Sequence, residues 1–477
     1  MNLIMKKLIA VFTLSLMLIS CAELVDDLNV DPNNPTTAPY DLVLTGAQLG
    51  NVVLQTGEAT RKAGIFAGQY TGLDRNHLLY TTYNVAASSF NAEWNNVYVD
   101  VIVNTRVAED LARDSGVEGI TTGILQIVRA MAFGTAASFW GDIPFDDGGF
   151  PEVISPAFEE QTVVYGKIQL LLDEAINNLA SGTGRPANGA DIHFNGDPVA
   201  WAEVAYALKA RYYMHTRDYA NAFAAAQNGI STLENSLFSP HGTTVPEANL
   251  NYQFLEIAVR GADMVTSDFM ASLVDPNAAN SPDITNYRGN AKTNETARYN
   301  YLFRTTGVGI QPNSATGMAS IDEPGSMITY QETLLTLAEA GTRSGGFDAG
   351  LTAINNFRAF MGSGGYLRSP NPADILYDAY VSADFDNGGI ANLDGQTADD
   401  ALLREILEER YITLFGTVET FSDTRRTDGE LTVRVPVQAN TGSVLPQRFV
   451  YPQSEIDRNP NAPSPIPDFF EPTDVNQ

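Results

Sequence analysis

Apolar residues recur at steps of three and four along much of the chain. Within 164–179, Val164, Ile168, Leu171, Ala175 and Leu179 fall on one face of a helix. The same period predicts helices over 42–55, 61–70, 92–113 and 119–140. The clearest start signal is Asp197-Pro198. Aspartate accepts a bond from the first free amides, and proline at the first helical position has no N–H to leave unpaired. Behind it, Trp201, Val204, Ala205, Leu208 and Tyr212 line one face, and a second helix is predicted over 219–233. Helices over 330–343, 347–360 and 402–415 follow by the same pattern. The helical positions of Trp94, Trp140 and Trp201 assign all three to packing.

Between these runs the pattern lapses. Residues 236–328, 362–399 and 417–477 are rich in Pro, Asn, Ser, Gly and Thr and read as loops, with 431–437 as the best strand. Loops of this length are uncommon unless they carry function. The class is therefore mainly α, with scaffold segments at about 40–235, 329–361 and 400–416. The alanine-rich pair that opens at Pro198 and continues over 219–233, and the pair 330–343/347–360, resemble tetratricopeptide hairpins, although the formal repeat consensus is absent and the copies lie far apart in the chain.

The N-terminus departs from the rest. Lys6-Lys7 precede an uncharged apolar run from Leu8 to Ile19, then Ser20-Cys21. A bilayer-crossing helix needs roughly 20 apolar residues, so 1–20 reads as a signal peptide. Leu18 to Cys21 resembles the lipobox of bacterial lipoproteins, which implies a lipid on Cys21 and a tether over 21–39. Cys21 is the only cysteine, so no disulfide framework competes for it. No later segment reads as long and apolar enough to cross a membrane.

Charge narrows the partners. With 57 acidic against 28 basic side chains, the net charge is −29. Such a field repels phosphates and excludes nucleic acid as a partner. Enzyme signals are weak. His77, His193, His215 and His241 share no metal-ligand spacing, and no phosphate loop is present. Asp384-Phe385-Asp386-Asn387-Gly388 and the Asp142, Asp146, Asp147 group carry oxygen ligands without a full calcium-loop spacing, and read as solvated turns. Glu408-Glu409 reads as a structural ion-pair site with Arg404 and Arg410. No cofactor or metal is expected. An anchored glycoside hydrolase stays open as an alternative, because chain spacing of carboxylates says nothing of their distance in space.

Several segments in order resemble the SusD/RagB family of Bacteroidetes outer-membrane lipoproteins. These are Leu28-Asn29-Val30-Asp31-Pro32-Asn33-Asn34-Pro35; Phe139-Trp140-Gly141-Asp142-Ile143-Pro144-Phe145; Glu405-Ile406 with Glu409-Arg410, then Leu414, Gly416, Phe421, Asp423 and Arg426; and Gln447-Arg448-Phe449-Val450-Tyr451-Pro452 with Glu455 and Asn459-Pro460-Asn461. Thr417 to Thr420 stands where many members have a glycine–arginine turn. The resemblance implies a SusD-like scaffold of tetratricopeptide-like pairs over 40–477, with long irregular loops facing the ligand. It also implies a surface-facing, lipid-anchored, non-catalytic protein. Such a protein captures an oligosaccharide, or in some members a peptide, for a SusC-like TonB-dependent transporter barrel. Acidic Glu23, Asp26, Asp27 and Asp31 after the cysteine resemble the signal for export to the outer face.

Sugar rings stack on aromatic faces and need hydrogen bonds from polar neighbours. Two stretches outside the helical pattern carry that mixture. One offers Tyr70, Asp74, Arg75, Tyr80 and Tyr83; the other offers Tyr287, Arg288, Asn290, Tyr299 and Tyr301. These are the expected ligand-binding residues.

Overall fold

The structure is a computed structural model and describes residues 38–150, 152–277 and 286–477. The expected signal peptide, Cys21 and the expected tether up to residue 37 lie outside the described residues. The helices that matter below are α1 (Tyr40–Thr56), α2 (Glu58–Phe66), α3 (Arg75–Thr81), α4 (Asn104–Asp114), α5 (Ile120–Trp140), α6 (Gln161–Ala180), α7 (Pro198–His215), α8 (Tyr219–Ala226), α9 (Thr296–Leu302), α10 (Tyr330–Gly345), α11 (Phe347–Gly362), α12 (Ala398–Thr413) and α13 (Glu419–Arg426).

Local signals set the helix ends. The Asp197 carboxylate accepts from the Val199 amide and Pro198 opens α7, as the sequence predicts. Thr329 caps α10 by accepting from the Glu332 amide, and Thr397 caps α12 by accepting from that of Asp400. α5 stops at Gly141, whose φ of 94° suits a residue without a Cβ.

The helical pairs meet in space although they are distant in sequence. α5 packs on α6, α6 on α7, α7 on α8, α8 on α10, and α10 on α11 and α12. Close approach is literal at Gly134 of α5, where a Cβ would lie 2.1 Å from the Tyr212 ring of α7. α5 is long and apolar enough to cross a membrane by length and composition, contrary to the sequence expectation. However, 94% of its apolar window is buried inside the protein, which makes it the central core helix.

Other expectations give way for physical reasons. α8 ends at Ala226, seven residues before the predicted limit of 233, just ahead of Asn228-Gly229. The 92–113 segment is interrupted by a π-helical stretch, Asn96–Val103. Residues 431–437 form no strand; with no neighbour to pair with, Val433 instead packs beside Leu403 and Leu407 of α12. The region read as loop over 417–477 contains α13, a helix with the sequence Glu-Thr-Phe-Ser-Asp-Thr-Arg-Arg and no apolar stripe. Likewise α3 and α9 occupy stretches read as lying off the helices. The strands among the described residues are short and pair antiparallel in twos. They include β1 (Tyr70–Gly72) with β2 (Met264–Thr266), and β3 (Phe303–Thr306) with β4 (Gly309–Pro312). The Gln311 amide joins the two ribbons by donating to the Gly261 and Met264 carbonyls.

Charged groups fasten the loops and the polar helix to the scaffold. Arg288 and Arg298, from the 236–328 region, both reach Glu409 of α12, and Arg298 does so with two bonds of 2.8 and 3.1 Å. Arg426 of α13 donates twice to Glu339 of α10, at 2.6 Å each, and Arg410 bonds Asp423. Glu409 therefore does not pair with Arg410, because adjacent residues on a helix face different ways. Arg404 pairs with Asp394 instead. Glu408 reaches only the fringe of Arg288, at 3.9 Å.

Glu408 yields a pH prediction. Burial pushes its carboxyl up to about 7, against the pull of Arg288. Its side chain is 23% exposed. A folded value above the unfolded one, about 4.3, gives stability that is full below pH ~4.3 and lost as pH rises through about 7. The loss amounts to ~1–3 kcal/mol by linkage. Glu408→Gln is expected to flatten this decline, read as urea-unfolding midpoints at pH 5 and pH 8. Equal pH dependence in the variant and the parent would rule Glu408 out as the cause.

Candidate functional site

A cleft of ≈ 620 Å³ opens between α2, α3, residues 88–93 and the 254–260 turn. α2 supplies its floor. Lys62 is buried and its Nζ donates to the Ser89 carbonyl and to Glu93 Oε1, both at 2.6 Å. That pair holds the 88–93 segment against α2. The ammonium also sits 5.1 Å from the Tyr80 ring centre, within cation–π range. Glu58 accepts from Arg61 Nε at 2.8 Å, and His77 Nε2 lies 3.3 Å from its other oxygen. Burial would raise the Glu58 carboxyl, but Arg61, His77 and Lys62 outweigh it and hold the group well below the usual carboxylate range. Phe254 forms the apolar wall. Arg61 covers one side at 4.5 Å, and the His77 ring meets it edge-on at 5.0 Å.

Two side chains lining the cleft hold buried polar atoms without a hydrogen-bond partner: His77, at both ring nitrogens, and Glu93, at Oε2. Leaving such a group unsatisfied costs about 1–3 kcal/mol each, so both mark a place where a hydroxyl-bearing ligand gains. Tyr80 offers a third polar group. Burial, with Glu58 and Glu93 adding to it, raises its hydroxyl well above the ordinary tyrosine value, so it stays a neutral donor.

At the rim, Asp263 is gripped from two sides. The Leu73 amide donates to its carbonyl at 2.7 Å, while Arg75 Nη1 (2.9 and 3.1 Å) and Arg260 Nη1 (2.9 Å) both bond its carboxylate. Burial would raise that carboxyl, but Arg260 and Arg75 hold it below its ordinary value. Arg75 and Val259 both have left-handed backbone, φ 50° and 52°. Such conformations cost on the order of 1–3 kcal/mol at non-glycine residues and cluster at functional sites.

The structure brings together only part of the expected residue set. Tyr80 lines the cleft, Arg75 lies just outside its lining and is tied to lining Arg260 through Asp263, and exposed Asp74 caps α3 by accepting from the Arg75 amide. Tyr70 is buried, its ring 4.9 Å from Phe415, and offers no platform. Tyr83 turns to the C-terminal segment, accepting from the Asn440 amide at 3.0 Å and facing Phe470. The second stretch lies elsewhere. Arg288 is buried among Glu295, Glu405 and Glu409, and so is a structural cation. Asn290 closes a turn by accepting from the Lys292 amide. Tyr287 and Tyr299 are half-buried, Tyr299 edge-on to Phe303. Tyr301 lines a different cleft, of ≈ 490 Å³, where its hydroxyl donates to Glu323 beside Arg368. Phe415 touches both Tyr70 and Phe303, so the two stretches are joined through the core rather than across a ligand face.

Sequence reasoning missed Lys62, Glu93, Phe254, Arg260 and Asp263 as site residues. His77 stood within the first stretch but was weighed only as a metal ligand. Among the described residues no three His, Cys, Asp or Glu side chains group as a metal site. Asp384 instead pairs with Lys292, and Asp146 with Lys167.

With fold and cleft in view, the chain belongs to the SusD-like family described as starch-binding and associating with the outer membrane, whose model matches residues 32–452. Solved structures agree on the fold. A SusD/RagB family protein from Bacteroides thetaiotaomicron is 18% identical, with a TM-score of 0.64 over 89% of this chain and 95% of its own. A Bacteroidetes SusD-like protein is 17% identical, with a TM-score of 0.68 over 92% of this chain and 100% of its own. A chitin-binding protein is 19% identical, with a TM-score of 0.64 over the same shares. No curated protein matches the sequence.

Proposed function

We propose that this protein is a non-catalytic, lipid-anchored, exterior-facing lipoprotein that captures an oligosaccharide and hands it to a SusC-like TonB-dependent transporter. In this reading residues 1–20 are removed, Cys21 carries the lipid, and 40–477 fold as one domain behind the 21–39 tether. The observation that carries the binding role is the cleft over Phe254, with its unpartnered His77 Nδ1 and Glu93 Oε2. An apolar wall beside fixed polar groups suits a sugar ring, whose C–H face stacks while its hydroxyls bond. The family's description and the chitin-binding neighbour support a glycan over a peptide.

Titration calorimetry with a panel of oligosaccharides tests this reading. One class is expected to bind, with no new reducing ends after prolonged incubation. Phe254→Ala is expected to weaken binding by roughly 2- to 12-fold, the worth of one aromatic contact at about 0.5–1.5 kcal/mol. Detergent extraction from the native membrane is expected to bring a large β-barrel with the protein. Release of reducing ends would move the reading to the hydrolase alternative, and exclusive binding of peptides would move it to a peptide receptor.

A further inference from the structure

The rim of the cleft carries more than a neutral sugar needs. Arg75 and Arg260 are 54% and 42% exposed, yet both are fixed on the same carboxylate, Asp263, which is 2% exposed. Each arginine uses only Nη1 for that bond; among the described residues, Nε and Nη2 of both take no partner. Two guanidiniums share the Asp263 carboxylate, and the exposed Asp74, whose amide reaches the Asp263 carbonyl at 3.3 Å, is the other carboxylate beside them, so what the spot offers is free N–H donors rather than excess charge. The other cleft cations are committed: Arg61 to Glu58 and Lys62 to Glu93. The bonds to Asp263 hold the two guanidiniums where they are, at or beside the left-handed backbone of Arg75 and Val259.

We propose that the ligand of this cleft is an acidic oligosaccharide, and that Arg75 and Arg260 receive the carboxylate of a uronic-acid ring lying over Phe254. The proposal rests on the oligosaccharide reading above and adds the charge of the sugar to it. Arginine presents N–H groups in a planar fork that matches a carboxylate's two oxygens, and Asp263 fixes the orientation of both forks in advance. The chain's net charge of −29 disfavours any anion at long range. Selectivity for an acidic sugar therefore has to come from a local cation pair with spare donors, and this pair is such a device.

The test uses one sugar in two charge states: an oligouronide and its methyl ester, titrated into the intact protein. The free acid is expected to bind at least tenfold more tightly than the ester. Arg260→Gln, at a half-exposed side chain, is expected to erase that preference, read as the ratio of acid to ester affinity; Arg75→Gln is expected to act likewise. Unchanged circular dichroism and melting temperature confirm that the variants fold. Equal affinity for acid and ester overturns the proposal, as does a preference that survives Arg260→Gln. A sulfated sugar or an acidic peptide binding more tightly than the uronide overturns it too. If a neutral oligosaccharide binds and the uronide does not, the proposal fails while the capture function stands. If no oligosaccharide binds, both fail.

Discussion

Glu339→Ala is expected to destabilise the protein by ~3–5 kcal/mol, the cost of removing one partner from a buried ion pair. Glu339 is fully buried and accepts two bonds from Arg426 at 2.6 Å each and one from Arg343 at 2.9 Å, with Arg410 Nε at 3.3 Å. Without it, Arg410 and Arg426 would share Asp423 as their remaining carboxylate partner. Burial would raise the Glu339 carboxyl, but Arg426, Arg343 and Arg410 hold it well below the usual carboxylate range. A folded value depressed below the unfolded one gives stability that is present above pH ~4.3 and lost as pH falls further. The parent is therefore expected to lose stability below about pH 4, and the variant to lose less of what remains there. Urea unfolding at pH 7 and pH 3 checks both statements. A change under about 1 kcal/mol at pH 7 would mean that the network serves orientation alone.

Trp140→Ala is expected to cost ~3–5 kcal/mol, the range for deleting a large buried aromatic side chain. Trp140 closes α5, is fully buried, and meets Trp94 edge-on at 5.0 Å and Phe449 at 5.8 Å. Its indole donates to the Val450 carbonyl at 3.0 Å, which ties the core helix to the C-terminal segment. The alanine variant loses the packing and leaves that carbonyl short of a donor. Trp140→Phe should retain most of the volume and lose the bond, for a smaller deficit. Thermal and urea unfolding of both variants would order them; equal losses would place the whole effect in the hydrogen bond.

These two sites show where the sequence was legible. Trp140 sits at the end of a strong apolar period and beside Gly141, so its helix, its end and its burial were all readable. α7 was readable from Asp197-Pro198 for the same local reason. α13 was not, because Asp423, Arg425 and Arg426 are buried by partners on other elements rather than by an apolar stripe. The site followed the same division. Arg75 is an expected site residue because an aromatic and polar mixture surrounds it in the chain. Arg260 and Asp263 were missed because their meaning depends on a contact 188 positions away. Arg288 failed the other way: its chain neighbours look like a binding loop, but Glu409, 121 positions on, takes it into the interior. Tyrosine content likewise could not distinguish the platform role from Tyr70, which Gly64 admits so closely that a Cβ there would lie 2.5 Å from the ring.

The most direct test is a crystal of the protein soaked with the oligosaccharide that binds best in solution. Density for an intact sugar ring over Phe254, within hydrogen-bond reach of His77 and Glu93, is the predicted result. A ligand seated instead in the cleft beside Tyr301 and Arg368, or found cleaved in the cleft over Phe254, would contradict the account.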